Sequence, residues 1–376
     1  MSLPKIVIFV DWFVPAYKAG GPISSIRNLC LALSKSYDIY VVTGDKDLGD
    51  TEPLPGITTN IWTHMLDVQV KFLNKRQQTF DSYKKILEEV KPEAVHLNSL
   101  FSQSFTLLPL RVLKNIDTKV IISPRGMFGP ASLAIKPLKK KLFFRYVKLF
   151  GVFKNIIWHA TSEIEKNEIL HVLPKANVLI ANNFPFLPVK NESYLAKEAG
   201  SIRMICVGRV ARIKNIDFLI RVLQKVTSNV YVRIVGPVED EAYYTECKKL
   251  AESLSDHIEL EFIEGVNFIQ LNKLYDDTHL FISPTKNENF GHGIAEAFGH
   301  GCPVIISNAT PWRNLKDKGV GADLKLEEER FVDEIEHYAR IKASEFMQIR
   351  NSARFFAENI ISSGDLKKGY QIIYGN

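Results

Sequence analysis

Short apolar runs rich in Val and Ile alternate along the chain with stretches whose apolar residues return at helical spacing, the pattern of parallel strands joined by crossover helices. Two such series are present. The first predicts strands at Ile6–Val10, Ile39–Thr43, Ala94–Leu97, Lys119–Ser123, Ile156–Thr161 and Val178–Ala181, and between them Phe80, Tyr83, Leu87 and Val90 fall on one helical face. The second predicts Ile202–Val207, Val230–Val235, Ile258–Ile263, Leu280–Ser283 and Val304–Ser307. A break falls near residues 183–200, where Phe184-Pro185-Phe186-Leu187-Pro188 leads into a polar stretch, Lys190 to Ser201, and the strand pattern then restarts. The expected class is α/β: two Rossmann-like, doubly wound parallel-sheet domains, 1–185 and 200–357, with a tail, 358–376, packing back on the first. Two such domains facing one another would form a cleft at the carboxyl ends of their strands, where these sheets bind ligands.

Length and composition agree with that division. A chain of 376 residues is too long for one comfortable core, and 46% hydrophobic with 24% charged residues excludes disorder. The apolar run Ile6 to Val10 is far shorter than the roughly 20 residues of a membrane-spanning helix, and no signal peptide is evident, so a cytoplasmic location is expected. Cys30, Cys206, Cys247 and Cys302 are scattered without a C-x-x-C pair, which reads as reduced thiols. Charge is asymmetric: residues 1–190 carry 25 Lys+Arg against 15 Asp+Glu, and residues 191–376 carry 23 against 27. A basic first half suits nucleic acid, an anionic substrate or an anionic membrane surface, and net charge alone does not choose.

Candidate chemistry follows the strands. In Leu280-Phe-Ile-Ser-Pro-Thr-Lys-Asn-Glu288-Asn289-Phe290-Gly291-His292-Gly293-Ile-Ala-Glu296 a buried strand ends, a polar loop carries Glu288, and a helix is expected to start near Gly293 with Glu296 close to its first turn. Bare N–H groups at such a start, with glycines permitting close approach, can hold a diphosphate, and an acidic residue there can read a ribose. Alternatively Glu296 only complements the helix dipole. In Val207-Gly208-Arg209-Val210-Ala211-Arg212-Ile213-Lys214-Asn215 a glycine ends a strand and cations precede a helix expected near Asn215. Arg209 and Lys214 could neutralise a departing nucleoside diphosphate without a metal, or form an ordinary solvated loop.

Together these segments resemble the retaining glycosyltransferases of family four, group 1 glycosyltransferases of GT-B fold, which carry a Gly-Arg…Lys-Asn element and, further on, two glutamates with seven residues between them. Glu288 and Glu296 keep that spacing before Gly301-Cys302-Pro303-Val304-Ile305. The resemblance extends along essentially the whole chain and is sharp only at these motifs. It implies that Arg209 and Lys214 bind the donor diphosphate, Glu296 the ribose and Glu288 the transferred sugar, with the Asn289, Phe290 and Gly291 backbone lining the site. The implied donor is a UDP- or GDP-sugar, with no cofactor and no metal. The implied acceptor is a saccharide or lipid-linked saccharide of cell-surface polysaccharide assembly. A noncatalytic nucleotide-binding subunit of such an assembly complex is the alternative.

The first series contributes weaker matches. Gly20-Gly21-Pro22, after the first strand, resembles the family's glycine loop near donor phosphate and acceptor, and Pro22 suits a helix start. In Ser123-Pro124-Arg125-Gly126-Met127 the sequence has Arg125 where many members place a histidine facing the sugar. Arginine is no general base near neutral pH, so phosphate or an anionic acceptor is the expected ligand. His96 ends a strand and is either a site residue or a satisfied core histidine. Residues 136–150 hold six basic and no acidic residues, with Lys141, Arg145 and Lys148 on one helical face and Phe143, Val147 and Phe150 on another. That suits peripheral contact with an anionic membrane at its inner face, or ordinary packing on the domain's own sheet. Asp45-Lys46-Asp47 resembles a metal-binding Asp-x-Asp, which the cationic pair makes unnecessary. No G-x-G-x-x-G follows either first strand, which argues against an oxidoreductase, and no helix-turn-helix, zinc or stacked-aromatic motif supports nucleic-acid binding.

Overall fold

The computed structural model describes residues 3–134, 137–149, 153, 155–189, 195–362 and 364–375. The chain folds as two compact units, Met1–Phe184 with Gly364–Asn376, and Pro185–Ser363. Residues 190–194, within the expected interdomain break, lie outside the described residues.

Unit 1 runs β1 (Lys5–Phe9), α1 (Gly21–Leu33), β2 (Asp38–Gly44), β3 (Trp62–Met65), β4 (Val68–Leu73), α2 (Phe80–Val90), β5 (Ala94–Asn98), α3 (Leu108–Leu113), β6 (Lys119–Ser123), α4 (Pro130–Ala134), α5 (Pro137–Leu149), β7 (Ile156–Ala160), α6 (Glu163–Val172) and β8 (Asn177–Ile180). Its sheet has the order β3-β4-β2-β1-β5-β6-β7-β8, parallel throughout except for the β3–β4 hairpin. That hairpin is not foreseen from the sequence. Its two-residue turn is Leu66-Asp67, both at positive φ, where the usual signal would be Asn-Gly or Asp-Gly. α2 matches its predicted periodicity: Thr79 caps it by accepting from Ser82 N–H, and Tyr83, Ile86, Leu87 and Val90 are buried, while Phe80 stays exposed.

Unit 2 runs β9 (Ser201–Val207), α7 (Ile216–Leu223), β10 (Asn229–Val235), α8 (Glu241–Ala251), β11 (Ile258–Ile263), α9 (Phe268–Asp276), β12 (Leu280–Ser283), α10 (His292–Gly299), β13 (Val304–Ser307), β14 (Gly321–Leu324), α11 (Glu328–Arg340) and α12 (Ala343–Ser362). Its sheet, β11-β10-β9-β12-β13-β14, is wholly parallel. β14 escapes the sequence pattern because Gly-Ala-Asp-Leu lacks β-branched residues. Its glycine is required, since a Cβ at Gly321 would lie 2.1 Å from the Val304 carbonyl oxygen. Strands buried on both faces produce the continuous Val/Ile runs by which the rest were recognised.

α12 continues to Ser362, so the segment that rejoins unit 1 begins at Gly364 rather than at 358. It forms α13 (Asp365–Tyr374), which buries Leu366, Tyr370, Ile373 and Tyr374. Tyr370 stacks on Phe184 at 5.1 Å, and Lys119 Nζ donates to the Tyr374 carbonyl at 2.7 Å. All four cysteines are free and buried, and among the described residues no helix is long and apolar enough to cross a membrane.

Candidate functional site

In unit 2 the strand order reverses between β9 and β12, the place where open parallel sheets take ligands beyond their carboxyl ends. Both candidate segments leave the sheet there. After β9, Arg212–Lys214 make one turn of tight helix, and Asn215, at φ 59°, redirects the chain into α7. Asn215 Nδ2 donates to the Pro284 carbonyl at 3.1 Å. Thr285 Oγ1 and Lys286 N–H both donate to the Ile213 carbonyl, at 3.1 and 2.8 Å. The two loops are thereby laced together, and Lys214 Nζ reaches Glu288 Oε2 at 2.6 Å with both side chains about four-fifths buried.

Glycines make room for this arrangement. A Cβ at Gly208 would meet Lys214 Cε at 3.1 Å. At Gly291, which has φ +78°, a Cβ would lie 2.7 Å from Ile294 Cδ1 and 3.2 Å from Glu288 Cγ, so only glycine serves. Phe290 is fixed through its carbonyl, which accepts from Trp312 Nε1 at 2.6 Å, whereas Asn289 is exposed. α10 opens at Gly291 with no side-chain cap and no acidic residue in its first turn.

The helix starts at His292, beside the expected Gly293, and Glu296 is its fifth residue, just past the first turn. It is buried, and beyond the first turn the dipole acts on it weakly. Burial, with the Glu296 charge in second place, raises the Tyr275 hydroxyl well above its ordinary pKa. Arg209 has a different partner: it is half-exposed and forms an ion pair with Glu239.

In unit 1 the reversal lies between β1 and β5. The loop after β1 leads through Gly20, at φ 66°, into an exposed Gly21 that opens α1 ahead of Pro22. Asp47 holds this loop, its carboxylate accepting from the amides of Tyr17 at 2.7 Å, Lys18 at 3.1 Å and Leu48 at 2.7 Å. The Asp45-Lys46-Asp47 triplet thus contains a loop clamp, a role that its resemblance to a metal motif did not suggest. Asp11 accepts from Ser102 Oγ at 2.7 Å, and burial outweighs that bond to push its carboxyl pKa up.

His96 is wholly buried, which matches the core-histidine alternative of the two readings. Its Nδ1 meets Tyr374 Oη at 2.8 Å and its Nε2 meets Ser123 Oγ at 2.6 Å; Ser123 Oγ meets His159 Nδ1 at 2.6 Å, and His159 Nε2 meets the Ala181 carbonyl at 2.7 Å. The carbonyl can only accept, which fixes every proton in the row for neutral rings. His159 Nε2–H donates to Ala181, Ser123 O–H to His159, His96 Nε2–H to Ser123, and Tyr374 O–H to His96. A further proton on His159 would strand the Ser123 hydroxyl hydrogen, and one on His96 would strand that of Tyr374. Burial, then the neighbouring Arg125 charge, depresses His159 to about 3; burial, then His159 and Arg125, depresses His96 well below its ordinary value.

Arg125 follows β6 at φ 54°, with Gly126 at φ 75°. Its Nε and Nη2 donate to Asn98 Oδ1 at 3.2 and 2.9 Å, and its Nη1 donates to Asn183 Oδ1 at 2.8 Å. Neither asparagine is selected by the sequence reading. Asn98 was detectable as the last residue of β5, whereas Asn183 carries no local signal. In α5, Phe143 and Phe144 pack against Phe101, while Leu138, Lys139, Lys141, Leu142 and Arg145 are exposed. Lys136 and Phe150 lie outside the described residues, as does the Lys148 side chain.

Comparison with known proteins agrees with this geometry. Residues 190–339, which contain both laced loops, match the model of glycosyl transferases group 1. The chain is 22% identical over 411 aligned positions to the human GDP-Man:Man(3)GlcNAc(2)-PP-Dol alpha-1,2-mannosyltransferase, covering 93% of this chain and 83% of that protein. WaaG, a glycosyltransferase involved in lipopolysaccharide biosynthesis, superposes with TM-score 0.64 at 14% identity, covering 99% of this chain and all of that one. HepE of Anabaena, solved in complex with UDP and glucose, gives 0.66 at 13% identity, with 98% of each chain covered. The fold is GT-B, and residues 190–339 are similar to the glycosyl transferases group 1 domain.

Proposed function

We propose that the chain is a retaining, metal-independent hexosyltransferase of the family-four type that moves a hexose or similar sugar from a UDP- or GDP-sugar to a hydroxyl of a saccharide acceptor. The observation that carries this reading is the Lys214–Glu288 contact at 2.6 Å, which joins the cationic loop after β9 to the glutamate loop after β12. Lys214 and Arg209 each have a carboxylate partner, Glu288 and Glu239. A diphosphate, with more charge than one carboxylate, would take over Lys214 and Arg209 and release Glu288 to accept from sugar hydroxyls. The Asn289–Gly291 backbone and uncapped start of α10 would border the phosphates, with Glu296 on the ribose.

As the anomeric carbon's bond to the phosphate oxygen breaks, the acceptor oxygen forms its bond on the same face and its proton passes to the leaving phosphate. No protein base is then required. The GDP-Man of the human relative's name and the UDP and glucose held by HepE support a GDP-mannose or a UDP-glucose donor equally. A lipid-linked acceptor of cell-surface polysaccharide, used at the inner face of the membrane, belongs to the same proposal. It is supported by α5, whose exposed Leu138 and Leu142 stand one turn apart among exposed basic residues.

A thermal-shift screen against UDP, GDP and their sugars tests donor binding. Transfer from a radiolabelled donor, with product anomer read by NMR and EDTA added in parallel, tests the chemistry. Nucleotide binding with neither transfer nor hydrolysis would favour the noncatalytic subunit, and complete loss of activity in EDTA would overturn metal independence.

A further inference from the structure

The Arg125 guanidinium has five N–H donors, of which three are directed at neutral amide oxygens, and among the described residues no carboxylate lies within ion-pairing distance. A half-buried cation without counter-charge is costly unless a ligand supplies one. Beside it Asn98 is 3% exposed, and its Nδ2 is a buried donor with no partner. Oδ1 accepts from Arg125, so the amide nitrogen is the end left over. Two arginine N–H bonds and both N–H bonds of the Asn98 amide are therefore unspent at the carboxyl ends of β5 and β6, and all of them are donors.

The surrounding structure holds this cluster in place. Ser123, two residues before Arg125, and Ala181, two residues before Asn183, are both members of the hydrogen-bonded row from Tyr374 to the Ala181 carbonyl. The row thus fixes the backbone on either side of the guanidinium. Arg125 itself is held at a left-handed φ that a β-carbon disfavours, strain that surrounding contacts must maintain.

We propose that Arg125, with Asn98 and Asn183, forms an oxyanion-recognition site that selects an acceptor sugar carrying a carboxylate or phosphate. The acceptor assignment rests on the transferase reading above; the oxyanion site itself does not. A uronic acid and a phosphorylated sugar share the required chemistry: oxygens that accept from a planar fork of donors.

Ligand-observed NMR titration of the full chain with glucuronic acid, glucose 1-phosphate and glucose tests it. At least one anionic probe should bind about tenfold tighter than glucose, the equivalent of one charge-assisted contact. The two anions compared with one another tell a carboxylate site from a phosphate site. The preference should vanish in Arg125→Gln and in Asn98→Asp, a near-isosteric change that gives Arg125 a built-in counter-charge. It should persist in Lys214→Ala, which removes the other candidate anion contact. Equal affinity for glucose and both anions would overturn the proposal, as would a preference that survives Asn98→Asp or disappears in Lys214→Ala. UDP and GDP titrations of Lys214→Ala judge the donor site separately, so the two readings fail independently.

Discussion

In unit 2, Lys214 and Arg209 each lie against a carboxylate, whereas in unit 1 Arg125 lies between two amides. Both arrangements place cations just beyond the carboxyl ends of parallel strands. The paired cations can stay folded and soluble without ligand, and they exchange partners when a stronger anion arrives. The unpaired one keeps its charge available and depends on a rigid polar scaffold to hold it. Ionic pairing and hydrogen-bonded framing are thus two ways of keeping a cation ready, and they respond differently to mutation and to pH.

The largest effect is expected where charge leaves the donor site. Lys214→Ala and Arg209→Ala should each lower turnover by about 10²–10³, or about 3–4 kcal/mol in the transition state, measured as kcat with the best donor. Near-normal turnover in both would remove the leaving-group role. Arg125→Gln should instead raise the KM of an anionic acceptor and leave donor affinity unchanged.

Acid separates the two arrangements next. Unfolded histidine binds its proton near pH 6.5, but folded His159 does so only at about 3 and His96 well below its ordinary value. Their contribution is complete above 6.5 and is lost as pH falls toward 3, with a slope of about 1.4 kcal/mol per pH unit for each ring. Arg125 and the neutral hydroxyls of Tyr374 and Ser123 face these rings and offer no compensating negative charge. Urea melts in a Trp312→Phe background, which leaves only the tryptophans of unit 1, should show that decline between pH 6.5 and 4. A flat profile would mean that the rings take up protons in the folded state.

Breaking the row directly should cost less. Ser123→Ala leaves His96 Nε2 and His159 Nδ1 without their shared partner and should destabilise by about 1–3 kcal/mol. An unchanged melting temperature would show that water or rearrangement replaces the hydroxyl. The smallest effect expected is that of Glu296→Gln, which should weaken nucleotide binding about tenfold, one hydrogen bond to a charged group, without changing the fold. Unchanged donor affinity would argue against the ribose contact.

Most strands were visible in advance because they are buried on both faces and therefore read as continuous Val and Ile runs. The strands not foreseen, β3, β4 and β14, have weak or mixed patterns, and their pairing depends on a positive-φ turn at Leu66-Asp67 and on the bare backbone of Gly321. The donor candidates could be read because each follows a strand within one short segment. His96 was ambiguous for the opposite reason: its two partners lie 27 and 278 residues away in the chain.

What the sequence by itself determined was local: the strand and helix periodicities, the loops that leave the strands, and the residue types available in them. Apolar spacing and glycine placement act over a few residues and need no partner to be recognised. Only the tertiary structure decided which charges meet. It brought Lys214 to Glu288, and it gave Arg125 the amides of Asn98 and Asn183 in place of a carboxylate. Charge pairing depends on distances across loops remote in sequence, and these are set only when the sheets have formed.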